Sequence, residues 1–427
     1  MHHLLMKNMG PVKYCDMDID EFTVLTGAQA SGKSTIAKSI FFFKTIKDDI
    51  LDCMVRRSVS INNDISLYKT VANLERKKFL QIFGTSRAMD SDLSLLYTYD
   101  TNTYVKITLK LKKGDDYISP NYVFFEYSKN IESFFKKYNN YHEEDNLNWK
   151  NVKNELDSLF SDDFETIFIP AGRSLITLLT TQLNYLFTVM DEEQRHSIDF
   201  CTQKYIERIL KIRNSFEEGA LGYLEKKRTT SIDSFDNRLA SSAVNLVDHI
   251  LKGRYKYVSG EERLVINDGK YVKINYTSSG QQESVWIFNI LLYQLINNTK
   301  TYIILEEPEA HLYPDAQKEI TELLSLFMSN GNSVLITTHS PYILGAINNL
   351  LFAKSIINTN NESRIYEVVK KEIVLSKCSS YYLDEGNIYD CFDSEIGLIK
   401  NEVIDGASND INEVFDKLID INNEEIV

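Results

Sequence analysis

The sequence predicts an α/β fold built on a largely parallel sheet covered on both faces. Three observations predict it. The segments Glu21–Thr26, Thr301–Leu305 and Asn332–Thr338 are short runs rich in β-branched and apolar residues, as expected of strands buried on both sides. Helical stretches alternate with them, from Ser34 onward and over Pro314–Met328, and supply the cover. Hydrophobic residues make up 43% of the 427-residue chain, enough for a large core.

In order along the chain, Glu21–Thr26 ends at Gly27, and a helix with a broad apolar face starts at Ser34. This is strand, glycine loop, helix. Tyr104–Leu111 and Tyr122–Tyr127 read as a small antiparallel sheet about a turn region at Gly114–Asp116. Asn130–Asp162 is charged and partly helical, and Glu165–Ile169 is a strand closed by Pro170-Ala-Gly-Arg-Ser174. Leu175–Leu251 contains no proline and repeats apolar residues at helical spacing. Tyr255–Val258, Arg263–Ile266 and Tyr271–Tyr276 form a second β-rich piece. Gly280 opens a long apolar helix, and the chain after Thr338 is mixed, with an acidic helix near its end.

The formal net charge is −14, which argues against a broad, non-specific coat on nucleic acid. Arg56-Arg57 and Lys226-Lys227-Arg228 leave room for local contacts and read first as solvated helix faces. The five cysteines are scattered and never spaced CxxC, against a disulfide framework or structural zinc. MHHLLMKNMG lacks the apolar core of a secretion signal, and no run of 18 apolar residues occurs. A cytoplasmic location without a membrane partner is expected.

Four motifs carry chemistry. Gly27-Ala28-Gln29-Ala30-Ser31-Gly32-Lys33-Ser34 fits GxxxxGK[ST] without a mismatch and continues into Thr35. Glycines let successive N–H groups turn inward onto phosphate oxygens, and the following helix adds its dipole. Lys33 would reach the β- and γ-phosphates of ATP, and the Ser34 hydroxyl would ligate Mg²⁺. Tyr302-Ile-Ile-Leu-Glu306-Glu307-Pro308 ends an apolar strand in two acids. Glu306 would hold Mg²⁺, and Glu307 would polarise the attacking water. Ser278-Ser279-Gly280-Gln281 is a turn that opens a helix, an anion site or a plain cap. His339, in Thr-Thr-His-Ser-Pro, ends another buried strand.

The order P-loop, SSGQQ, LEEPE, THSP resembles the ABC-type ATPase heads of the SMC, RecF and OLD group, and EEPEAHLYP resembles the OLD-like branch. The resemblance covers roughly residues 20–85 and 255–345. It implies a P-loop NTPase fold with a two-lobed head, a mixed sheet, an antiparallel β subdomain and a helical insertion. It also implies two subunits sandwiching two ATP molecules. Ser278, Ser279, Gly280 and Gln281 of one subunit would face the γ-phosphate held by Lys33 of the other. Glu307 would be the catalytic base, His339 the γ-phosphate switch, and Glu309–Pro314 the D-loop. Gln81 would be the lid glutamine that contacts Mg²⁺ and water. Thr277, Ser279 and Glu306 depart from the commonest forms of these motifs, and slow hydrolysis is expected. Pro170–Ser174 resembles a motif of prokaryotic defence ATPases, in which Arg173 would sense nucleotide or stabilise charge; a turn with a surface arginine is the plainer alternative.

The implied organisation is an ATPase lobe over 1–174, a helical insertion over 175–254, a second lobe over 255–358, and a C-terminal mixed segment over 359–427 that could bind a partner. Asp384, Glu385, Asp390, Asp393 and Glu395 in that segment read as solvated or partner-facing, with a metal site as the alternative. No nuclease constellation is legible. Stand-alone heads of this kind resemble the ATPase components of anti-phage systems such as Septu and PARIS, which implies a separate effector protein. A RecF- or SMC-like DNA repair factor is the alternative. A transporter motor fits less well, given the long helical insertion.

Overall fold

The computed structural model describes residues 2–58, 65–114, 118–139, 148–178, 198–230, 237–267, 269–358, 360–400 and 404. Asp115 and Asp116 of the expected turn, the parts of the helical insertion at 179–197 and 231–236, and the acidic helix near the C-terminus lie outside them.

A hairpin that sequence patterning did not single out opens the chain. Strands β1 (His2–Met9) and β2 (Val12–Ile19) pair antiparallel and bury alternate residues, among them Leu4, Met6, Cys15 and Met17. Next come β3 (Phe22–Gly27), α1 (Lys33–Lys44), α2 (Ile46–Ser58) and α3 (Leu67–Phe83). Strands β4 (Ser94–Thr98), β5 (Tyr104–Lys113) and β6 (Ile118–Tyr127) are followed by α4 (Lys129–Tyr138), α5 (Trp149–Leu159) and β7 (Glu165–Ile169). The insertion holds α6 (Phe200–Ile212), α7 (Gly219–Thr230) and α8 (Asn237–Leu251). Strands β8 (Arg254–Val258), β9 (Glu261–Asn267) and β10 (Lys270–Lys273) form a separate antiparallel sheet, and Ile274–Tyr276 is a 3₁₀ turn rather than more strand. The chain continues through α9 (Ser279–Ile296), β11 (Thr301–Glu306), α10 (Pro314–Met328), β12 (Ser333–Thr338), α11 (Pro341–Ser355) and α12 (Glu362–Val368). It then forms β13 (Ser379–Asp384) and β14 (Asn387–Asp390), and a short ribbon of β15 (Phe392–Asp393) and β16 (Leu398–Ile399).

Among the described residues one 11-stranded mixed sheet runs β6-β5-β4-β1-β2-β14-β13-β3-β12-β11-β7. Neighbours from β13 to β7 are parallel, and those from β6 to β2 antiparallel. Two expectations need correction. The strands at 104–127 are not a small sheet of their own, because β4 bonds β5 on one edge and β1 on the other. The segment after 359 is not a separate unit, because β13 and β14 lie inside the main sheet, between β3 and β2.

Alternation along the parallel strands divides the core. Val24, Ile303, Leu305, Val334 and Ile336 face the layer of α8 to α11. Leu25, Tyr302, Ile304 and Leu335 face α1 and the antiparallel wing. The five cysteines are buried and free. No helix among the described residues is long and apolar enough to cross a membrane.

Candidate nucleotide site

The parallel register brings the C-terminal ends of four strands into line: Ile169 lies beside Leu305, Glu306 beside Thr337, and Thr338 beside Thr26. That edge is where open α/β sheets place their ligands. At the end of β3 the loop curls through positive φ at Gly27 (140°), Ala30 (60°) and Gly32 (111°). A Cβ on Gly27 would lie 2.3 Å from Leu383 O, so only glycine lets β13 pair this closely. Ala28, Gln29 and Ala30 are exposed, Ser31 half-buried, Ser34 exposed and Thr35 half-buried. Ile36 N makes a helical bond to Gly32 O, so the amides of Lys33, Ser34 and Thr35 precede it without an intrahelical acceptor. Lys33 crosses the loop and donates to Gly27 O (3.0 Å) and Ala28 O (2.8 Å). Burial pulls its ammonium below the ordinary value, while the carboxylates of Glu307 and Glu309 act in the opposite direction. This curl of inward amides beside a cation is suited to a polyphosphate.

The two acids differ. Glu306 is buried; its Oε2 accepts from Ala171 N (3.1 Å), and its Oε1 has no partner among the described residues. A buried carboxylate oxygen with open valence, together with the Ser34 hydroxyl, is a donor set that fits hydrated Mg²⁺. Glu307 is half-exposed and sits in the left-handed region, φ 44°. Its N donates to Thr337 O (2.9 Å), and its Oε1 lies 3.5 Å from His339 Nε2. Glu309 Oε1 accepts from Thr338 Oγ1 (2.8 Å) and His339 N (2.7 Å), which fixes the backbone under the histidine.

The Ser278–Gln281 turn, the signature turn of the resemblance, opens α9. Ser278 caps α9 in a reciprocal box with Gln281, whose Nε2 also donates to Leu251 O (2.7 Å). Ser278 and Ser279 are exposed. A Cβ on Gly280 would meet His311 O at 2.6 Å, so glycine lets the helix start press against the segment after the acids. The helix α9 packs on the face of the sheet opposite α1. The chain thus groups Lys33, Glu306, Glu307 and His339 along one edge, while Ser278–Gln281 open α9, whose buried residues pack on the face opposite α1.

Gln81 sits in the last turn of α3, half-buried, and not in a loop. Neither reading of Arg173 as a surface residue or a direct nucleotide sensor fits, because it is fully buried and its guanidinium donates to carbonyl oxygens. Glu385, at φ 44°, turns β13 into β14, and no group of three metal-ligating side chains occurs among the described residues. Sequence reasoning also missed Glu283, Thr337 and Leu383, whose roles are visible only in their contacts.

Residues 1–344 match the family model described as the AAA ATPase domain. The chain belongs to that family. The chain is similar to an Smc head bound to the C-winged helix domain of ScpA, at 10% identity, covering 91% of this chain and 95% of that one, TM-score 0.41. It is also similar to a Smc head with an extended coiled coil bound to the C-terminal domain of ScpA from Pyrococcus furiosus, at 12% identity, covering 97% and 100%, TM-score 0.38. A third similar structure is the SMC head domain from Thermotoga maritima, at 12% identity, covering 91% and 97%, TM-score 0.36. No curated protein matches the chain.

Proposed function

We propose that this AAA ATPase is an ABC-type switch: two copies enclose and hydrolyse two ATP molecules, and closure controls a separate effector protein in anti-phage defence. The observation that carries the shared site is that Ser278 and Ser279 stand exposed at the start of α9, open to a second copy. A second copy would supply that turn. The resemblance of Pro170–Ser174 and the motif order to defence ATPases supports the effector part.

In this mechanism the loop amides and Lys33 bind the phosphates and offset their charge. Ser34 and Glu306 would hold Mg²⁺, which when bound supplies positive charge to the β- and γ-phosphate oxygens. Glu307 accepts the proton of the attacking water, and His339 contacts Glu307 and marks the γ-phosphate position. Gln81 would complete the Mg²⁺ and water contacts if the end of α3 moves toward the loop on closure.

The test is the oligomeric mass of Glu307→Gln with and without ATP and Mg²⁺. An ATP-dependent increase supports the shared site, and a monomer with ATP bound removes it. Salt-sensitive, ATP-dependent DNA binding by the closed form would turn the reading toward RecF- or SMC-like repair.

A further inference from the structure

Two residues that the mechanism does not use join its two halves. Arg173 starts a helical stretch, described over 173–178, just after β7. It is 0% exposed. Its Nη1 donates to Pro170 O (2.7 Å) and Glu306 O (2.6 Å), and its Nη2 to Glu307 O (2.9 Å). Its Nε donates to Glu283 O (3.0 Å). The Glu283 carboxylate accepts from the backbone N–H of Arg173 and of Ser174, both at 2.9 Å, and lies 3.4 Å from Arg173 Nε. Glu283 is itself 2% exposed and sits one helical turn after Gly280 on α9.

One planar guanidinium therefore spans the carbonyls of both acids and the main chain of the signature helix. Glu307 needs such a brace. Its left-handed backbone is a conformation that persists only where the surroundings over-determine it. Thr337 holds its N–H and Arg173 holds its carbonyl, so the two peptide planes that aim its side chain are fixed from opposite sides. Any shift of the start of α9 moves Glu283, and with it the anchor of Arg173.

We infer that Arg173 and Glu283 form a positioning relay: engagement of Ser278–Gly280 by the partner-bound phosphate sets the aim of Glu307 through these two side chains. The inference rests on the shared-site reading above and adds to it the means by which one half of the site reports to the other. Arg173 touches no nucleotide in this scheme; it acts through the Glu307 backbone.

Arg173→Lys keeps the charge but offers three donors on one nitrogen and cannot span the four carbonyls of Pro170, Glu283, Glu306 and Glu307, and Glu283→Gln keeps the shape but removes the carboxylate charge. Each is expected to lower kcat for ATP hydrolysis by 10- to 100-fold, with KM and the affinity for a fluorescent ATP analogue within twofold of the unmutated protein. Glu283→Gln serves if Arg173→Lys does not fold, as read by circular dichroism. In the Glu307→Gln background, adding either change should leave the residual rate within twofold, because the residue being aimed is already disabled. Unchanged kcat in both folded variants overturns the relay. So does a further full-sized drop in the Glu307→Gln background, which would mean that Arg173 acts independently of Glu307. Failure of the shared site itself shows up separately, as a Glu307→Gln protein that stays a monomer with ATP bound.

Discussion

The phosphate-binding end of β3 and the acid end of β11 lie on one sheet edge but are built in different ways. The first is local. Gly27 to Ser34 is one continuous stretch, and its curl comes from residues that themselves take positive φ. The second is assembled from a distance. Glu307 is held by Thr337, 30 positions away, and by Arg173, 134 positions away. A loop specified by its own residues is robust to changes elsewhere, whereas an acid aimed by remote partners can be tuned or switched through them.

The largest test of that contrast is Glu307→Gln. Loss of a general base costs about 10²–10⁴-fold in rate. We expect a kcat loss in that range with ATP affinity retained, measured by phosphate release beside equilibrium binding. Lys33→Ala strikes the local half. Removing a charge-assisted contact worth about 1.5–3 kcal/mol should weaken ATP binding by roughly 10- to 150-fold, read by the same binding assay. If Lys33→Ala instead lowers kcat alone, the division between a binding half and an aiming half is wrong.

Gly27→Ala probes a place where the local half depends on the C-terminal hairpin. The new methyl would meet Leu383 O at 2.3 Å, and the φ of 140° disfavours any side chain. Overpacking of this kind costs about 1–3 kcal/mol. A lower midpoint in urea unfolding and weaker ATP binding are expected together; a fall in stability with unchanged ATP binding would show that β13 does not shape the loop. The smallest expected effect is that of Glu309→Gln. The amide oxygen can still accept from His339 N and Thr338 Oγ1, so the loss should be about 0.5–1.5 kcal/mol, up to roughly tenfold in kcat. A loss as large as that of Glu307→Gln would move the base to Glu309.

The same contrast explains what could be read beforehand. The strands at 21–26, 301–305 and 332–338 were legible because each is rich in apolar and β-branched residues, and α10 begins with proline at its first turn. The hairpin β1–β2 was not, because its alternation is diluted by His2, His3 and Lys7. Ser379–Asp384 carries no apolar run that would mark it as a neighbour of β3. Arg173 in a Pro-Ala-Gly turn has the sequence of an exposed bend, and only the closure of α9 over that bend buries it.

By itself the sequence determined the phosphate loop, the pair of acids at a strand end, the capped start of α9 and the parallel centre of the sheet. Each depends on backbone preferences and periodicities set within a few neighbouring residues. The tertiary structure decided that β13 would press on Gly27, that Glu306 would be buried and Glu307 left half-exposed and strained, and that Arg173 and Glu283 would tie the signature helix to both. Those outcomes depend on which distant segments the sheet order places side by side, and no local preference specifies that order.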